Sequence, residues 1–219
     1  MPFEMSNLIQ AIMIGGIVYV GGGYSFKNQQ TVMVYTPHIS GSWITLPPFE
    51  SRWFGMAAVN NELVLVGGAH PSTGEATNVL RVWNDGSQLW THPFPALPSP
   101  RCKVSVISYH KWLIVTGGYN DIGPYIAKVE ILDTCSGQWY EAAPLPSGCI
   151  EMSSAINGNM WYLSRGLSSQ RPNKYTFSVC LDELISQAVL QSAGVTSPST
   201  PQAHHGRPYL TLHWKSPLS

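Results

Sequence analysis

Three landmarks recur in one phase along this chain, and together they restrict its fold more than any other feature. The first is a glycine pair closing an apolar run: Ile17-Val18-Tyr19-Val20-Gly21-Gly22, Leu63-Val64-Leu65-Val66-Gly67-Gly68 and Leu113-Ile114-Val115-Thr116-Gly117-Gly118. The second is a tryptophan, Trp43, Trp90 and Trp139, and the third is a Leu-Pro beyond it, Leu46-Pro47, Leu97-Pro98 and Leu145-Pro146. Each tryptophan follows the second glycine of its pair by 21 or 22 positions. A unit repeating at nearly 50 residues is the period of a propeller blade or similar array.

Each unit reads as four short strands. The first is Phe54-Val59 or Lys103-Ile107, followed by a turn at Asn60-Asn61-Glu62 or Tyr109-His110-Lys111. The second is the apolar run, expected to be covered on both faces. The third alternates more, over 31–35, 78–83 and 128–132. The tryptophan opens a short fourth strand, and proline, which lacks a ladder N–H, ends it. Glycines Gly21, Gly22, Gly67, Gly68, Gly117 and Gly118 are expected where inner strands crowd together. Trp43, Trp90 and Trp139 are expected to fill the wedge between blades. Composition agrees with many turns and few helices: 20 Gly, 17 Pro and only 11% charged residues.

These residues resemble the kelch repeat family. The resemblance rests on the three glycine pairs, on Tyr35 or Asp133 in the third strand and on the three tryptophans, and covers about residues 8–181. It implies an all-β, kelch-type β-propeller that binds partners through its loops, commonly with six blades. The count here is about four, over 8–50, 51–100, 101–148 and 149–181, so an incomplete or open propeller is expected within 1–181. The last unit is degenerate: Met152–Ile156 and Met160–Leu163 fit two strands and 174–181 a third, but Ser164-Arg165-Gly166 replaces the glycine pair and no tryptophan follows. Residues 182–219 read as a short helix over Asp182–Gln191 and a Ser/Pro/Thr-rich, disordered tail. Two readings stand for Tyr209-Leu210-Thr211-Leu212-His213-Trp214: the missing strand of the last blade, or an altered C terminus unrelated to the array.

The expected function is a non-catalytic protein-interaction scaffold with a protein or peptide partner and no cofactor. Lys plus Arg equals Asp plus Glu, so no basic surplus points to nucleic acid. No apolar run is long enough to span a membrane. Cys102, Cys135, Cys149 and Cys180 form no CxxC pair and read as reduced cysteines of a cytoplasmic protein. Gly67–Gly74 lacks the lysine of a phosphate loop. His204-His205 reads as a solvated turn, and no metal site is expected. The propeller-class oxidase or hydrolase reading needs convergent Tyr, His and Cys, which here fall at unrelated phases. A third reading is a remnant of a larger six-bladed protein. Kelch domains joined to a BTB domain often act as ubiquitin-ligase substrate receptors, but the repeats begin almost at Met1, so that activity is not expected of this chain alone. For the partner site, Arg52 and Arg101 follow the Leu-Pro in successive units, and the resemblance implies that they pair acidic side chains. Trp53 and Phe54 are the expected aromatic anchors; the alternative is that the arginines bond neighbouring blade backbone.

Overall fold

The computed structural model describes residues 6–24, 32–37, 41–121, 123–164, 166–168, 171–172 and 176–194. The expected disordered tail, His204-His205 and Tyr209–Trp214 lie outside the described residues. Four antiparallel sheets succeed one another as the blades of a propeller. Blade 1 runs β1 (Ser6–Ile14), β2 (Ile17–Tyr24), β3 (Val32–Tyr35) and β4 (Trp43–Thr45). Blade 2 is β5 (Gly55–Val59), β6 (Glu62–Val66), β7 (Leu80–Asn84) and β8 (Leu89–Thr91). Blade 3 is β9 (Ser105–Tyr109), β10 (Trp112–Thr116), β11 (Val129–Asp133) and β12 (Gln138–Ala142). Blade 4 starts with β13 (Ser153–Asn157) and β14 (Met160–Ser164). A two-stranded ribbon of β15 (Leu167–Ser168) and β16 (Arg171–Pro172) follows, and β17 (Thr176–Cys180) completes a three-stranded sheet with β13 and β14. Helix α1 (Leu181–Ser192) starts directly after β17.

Local chemistry explains the hairpins. Asn60 and Asn61 take φ of 51° and 66° between β5 and β6, the double left-handed conformation of a type I′ turn, which asparagine tolerates. The second strands are buried on both faces because each blade is sandwiched. Leu63 and Leu65 of β6 pack with Tyr19, Val32 and Val34 of blade 1. Val64 and Val66, alternating with them, pack with Leu113, Val115 and Leu132 of blade 3. Ile114 and Ile131 continue the stack onto Trp161, Leu163 and Phe177 of blade 4. The inner strands β1, β5, β9 and β13 pack in succession, and no comparable packing joins β13 back to β1.

The glycine pair has a defined task in blades 2 and 3. In blade 1 the hairpin register makes Gly22, not the expected Gly21, the equivalent of Gly67, and Gly21 lies inside β2 opposite Val32. A Cβ on Gly67 would lie 2.4 Å from the carbonyl oxygen of Arg101, and one on Gly117 the same distance from that of Cys149. Those two carbonyls accept hydrogen bonds from the N–H of Gly68 and Gly118, at 3.0 and 2.9 Å. The first glycine therefore lets the next blade approach, while the second, with φ of 110° or 105°, turns the chain. Blade 4 keeps this second position. Gly166 has φ of 86°, and a Cβ there would meet the carbonyl oxygen of its own blade's Ile150. The first position, where a next blade would press, is Arg165 in sequence.

Trp90 and Trp139 sit at wedges, half-buried. Trp43 of the first blade instead lies on the face turned away from blade 2 and stacks on Tyr35 of its own blade, so the expected wedge position is corrected for it. Trp90 of blade 2 donates its indole N–H to the Pro47 carbonyl at 2.9 Å and stacks edge-on against Phe49, both from blade 1. Trp139 packs against the cluster between blades 2 and 3. Among the described residues, blade 4 has no fourth strand and no such tryptophan. Helix α1 takes that place: Leu181, Leu184, Ile185 and Ala188 are buried in the cluster between blades 3 and 4 and pack beside β12. Asp182 and Glu183 in its first turn complement the positive end of the helix dipole.

Candidate partner-binding mouth

The four inner strands enclose a cavity of about 790 Å³. Blade-to-blade hydrogen bonds frame it. The Gln10 side-chain amide of β1 spans the first gap, its Nε2 donating to the Phe54 carbonyl at 3.1 Å and its Oε1 accepting from the Met56 N–H at 2.8 Å. At the gap between blades 3 and 4, the Ser105 and Ser154 hydroxyls bond at 3.0 Å.

At one end of the cavity, three residues occupy the same position in successive blades. Trp53, Lys103 and Glu151 all have left-handed backbones, with φ of 56°, 55° and 59°. Such a conformation costs a non-glycine residue on the order of 1–3 kcal/mol and persists only where the surroundings fix it. Here the fixing groups are visible. The Lys103 N–H donates to the Trp53 carbonyl at 2.7 Å, and the Glu151 N–H to the Lys103 carbonyl at 3.2 Å. The side chains then form a row. Lys103 Nζ lies 2.8 Å from Glu151 Oε1 and 4.9 Å from the Trp53 ring centroid, and the Arg52 guanidinium stacks 4.1 Å over the same ring. Each cation–ring contact contributes roughly 0.5–1 kcal/mol at such half-open sites. The row offers one aromatic face, two cations and one carboxylate beside a polar, serine-lined cavity.

Of the residues expected to contact a partner, Arg52 and Trp53 are in this row, half-buried and in contact with each other. Phe54 and Arg101 are not presented to solvent. Phe54 is 2% exposed and belongs to the core between blades 1 and 2. Arg101 is 0% exposed, with Nη1 donating to the Gly117 carbonyl at 3.2 Å and Nη2 paired with Glu130. The expectation that Arg101 faces a partner is corrected for a geometric reason. Arg52 bridges Ala69, Cys102 bridges Tyr119 and Ile150 bridges Leu167, so the equivalent of Arg52 is Cys102. Arg101 matches Ser51, whose hydroxyl likewise donates to a glycine carbonyl, that of Gly67, at 3.1 Å. A slip of one residue in an extended segment reverses the face a side chain occupies. Counting from the glycine pairs instead of the Leu-Pro would have aligned Trp53 with Lys103 and so found Lys103 and Glu151.

Burial pulls the Arg101 guanidinium down to about 10, with the Glu141 carboxylate opposing the shift, so it remains charged near neutrality. Burial likewise pushes the Cys102 thiol up to about 11, which keeps it protonated and a poor nucleophile. None of the four cysteines is in a disulfide, and Cys102 and Cys149 are buried while Cys135 is exposed. Among the described residues, no group of three or more His, Cys, Asp and Glu side chains converges to hold a metal ion, and no described helix is long and apolar enough to cross a membrane.

The family described as the Kelch motif matches residues 100–146, which is blade 3 with its entry. The chain is 26% identical over 179 residues to alpha-scruin of Limulus polyphemus, covering 76% of this chain and 19% of that protein. It is 22% identical to Kelch-like protein 40 of Xenopus tropicalis, covering 69% of this chain and 26% of that protein. It is 21% identical to human Kelch-like protein 23, covering 68% and 27% respectively. The chain thus spans between a fifth and just over a quarter of the length of these relatives. Repeat phase, blade topology and relatives agree on a β-propeller whose blades are similar to kelch repeats, with the Kelch motif itself matched in blade 3.

Proposed function

We propose that the chain is a non-catalytic protein-interaction module that receives a peptide or loop of a protein partner at the inner-strand mouth. The observation that carries this reading is the row Arg52, Trp53, Lys103 and Glu151 on three strained, equivalent backbone positions. Strain held in place by blade-to-blade hydrogen bonds pre-orders the side chains, and pre-ordering lowers the entropy cost of binding. A half-exposed tryptophan flanked by two cations suits a segment with an apolar side chain beside a carboxylate. The kelch-type relatives support a binding role, and four cysteines without a disulfide fit a reducing, cytoplasmic setting.

The test is selection from a random peptide library on the full chain, followed by calorimetry on the enriched sequence. Arg52→Ala with Trp53→Ala is expected to weaken binding by about tenfold or more, the loss typical of truncating an aromatic anchor. Tyr162→Ala, on the outward face of blade 4, is expected to leave it unchanged. Absence of any enriched peptide, or equal affinity of the double variant, would overturn the proposal.

A further inference from the structure

The inner strand of each blade is an edge strand, and its free edge faces the cavity. The inner hairpins close on two-residue turns, with Val59 opposite Glu62, Tyr109 opposite Trp112 and Asn157 opposite Met160. Such a closing pair exchanges both backbone hydrogen bonds, and bonded and non-bonded pairs alternate from there along an antiparallel ladder. Ser105, Ile107 and Tyr109 of β9 therefore bond to β10, while Val106 and Ser108 turn their N–H and carbonyl groups away from it, toward the cavity. The same count places Met56 and Ala58 on the free edge of β5, and Ser154 and Ile156 on that of β13. Gln10 confirms the count, because the N–H it binds is that of Met56.

These three edges differ in what the preceding blade sets against them. Register makes Gln10, Gly55 and Ser105 equivalent, each four residues before the end of its inner strand. Against β5 stands Gln10, whose side-chain amide accepts from the Met56 N–H at 2.8 Å and donates to the Phe54 carbonyl at 3.1 Å. A neighbouring strand would offer the same acceptor and donor, so the Gln10 amide takes the place of one peptide group. Against β13 stands Ser105, whose hydroxyl bonds that of Ser154 at 3.0 Å. Against β9 stands Gly55, which has no side chain to offer, and a Cβ there would lie 2.2 Å from Val106 Cγ2. Among the described residues, no group pairs with the N–H or carbonyl of Val106 or Ser108 on this edge. Backbone groups so placed take their hydrogen bonds from water or from a ligand.

We propose that the β9 edge binds an extended polypeptide segment, which pairs through its own backbone with Val106 and Ser108 as an added strand. This site rests on the binding reading above: the segment received by the mouth row runs on along the cavity. Lys103 of the row lies three residues before Val106 in the chain, so the two contacts are continuous. The cavity, about 790 Å³, is of ligand-site size, since such sites span about 300–1,000 Å³. The five residues of β9 offer about 17 Å of edge. Backbone pairing there supplies affinity with little demand on sequence, and Arg52, Trp53 and Lys103 supply selectivity at the opening.

The experiment uses the full chain and a peptide enriched on it from a random library, resynthesised with each amide N-methylated in turn. N-methylation removes one donor and leaves the side chains in place. Where an amide faces β9, affinity in calorimetry is expected to fall about tenfold or more, and where it faces away the loss is expected to be smaller, so large losses recur at every second residue. Hydrogen exchange reads the protein side. Saturation with the unmodified peptide is expected to slow the Val106 and Ser108 amides about tenfold and to leave Ala58 and Ile156, on the neighbouring edges, unchanged. A peptide that binds yet tolerates N-methylation throughout, or leaves Val106 and Ser108 exchange unchanged, would overturn the added strand while the mouth reading stands. Protection at Ala58 or Ile156 instead would overturn it as well. Absence of any binding peptide would overturn both.

Discussion

Truncating Glu130 to alanine tests whether Arg101 is a structural residue. The Arg101 and Glu130 side chains are 0% and 4% exposed and paired in the interior of blade 3, beside the glycine pair that meets blade 4. Removing one member of a buried pair strands the other charge and typically costs about 3–5 kcal/mol. For a chain of this size each kcal/mol shifts the unfolding temperature by about 2–4 °C, so Tm should fall by about 6–20 °C. Replacing both members, Arg101→Met with Glu130→Leu, removes the stranded charge. The Gly117 carbonyl then loses one donor, a deficit of about 1–3 kcal/mol. The double variant should therefore be more stable than Glu130→Ala alone. Burial lowers the Arg101 pKa below its ordinary value. Any stability linked to that shift is present only above the ordinary arginine value and is lost as pH falls through about 10, so the cost of Glu130→Ala should be flat near neutral pH. The assay is urea unfolding followed by tryptophan fluorescence at constant m. A Glu130→Ala cost below about 1 kcal/mol, the range of exposed ion pairs, would refute the reasoning, as would a double variant no better than the single one.

Two further outcomes follow from the same packing. Leu184→Ala on α1 should cost about 2–5 kcal/mol by opening a cavity at the blade 3–4 wedge, whereas exposed Leu190→Ala should change stability by less than about 0.5 kcal/mol; equal effects in urea unfolding would mean that the helix does not replace the missing strand. Burial works to raise the Asp133 carboxyl, but Lys111 Nζ at 2.7 Å and the N–H groups of Cys135 and Ser136 outweigh it and hold it below the usual carboxylate range. Its stabilisation is thus present above the ordinary carboxylate value and lost as pH falls through the lowered one, so Asp133→Asn should be less stable at neutral pH and converge with wild type in acid, as read from urea midpoints across pH.

The fold was legible because its signals are local and repeat. Leu63–Val66 is apolar at every position, which requires cover on both faces, and Asn60-Asn61 carries its own turn chemistry. The helix after Cys180 was also readable from Leu184, Ile185 and Ala188 at helical spacing. Its role was not, because substitution for a strand and a tryptophan is a tertiary event with no local mark. The mouth was half legible. Trp53 and Arg52 stood out as an aromatic and a cation on a loop, but Lys103 and Glu151 look like solvated charges until the blades are superposed. Arg101 shows the opposite failure, since a buried arginine and an exposed one look alike in sequence, and only register decides.

Register also ties the blades to one another. Each first glycine admits the carbonyl of the following blade, and each inner-strand entry bonds to the entry of the blade before it: Lys103 to Trp53, Glu151 to Lys103. The left-handed entries are therefore held in series, and the row is only as rigid as the interfaces between blades 2, 3 and 4. Those interfaces contain the Val64–Leu113 stack and the buried side chains of α1. A change at the 3–4 wedge should reach the mouth through Glu151, whose N–H is tied to Lys103 and whose carboxylate neutralises its ammonium. Loosening α1 would free Lys103 from Glu151 and leave two uncompensated cations on Trp53. If the row binds a partner as proposed, Leu184→Ala should also weaken peptide binding there, and unchanged affinity in calorimetry would refute a link between the helix and the row.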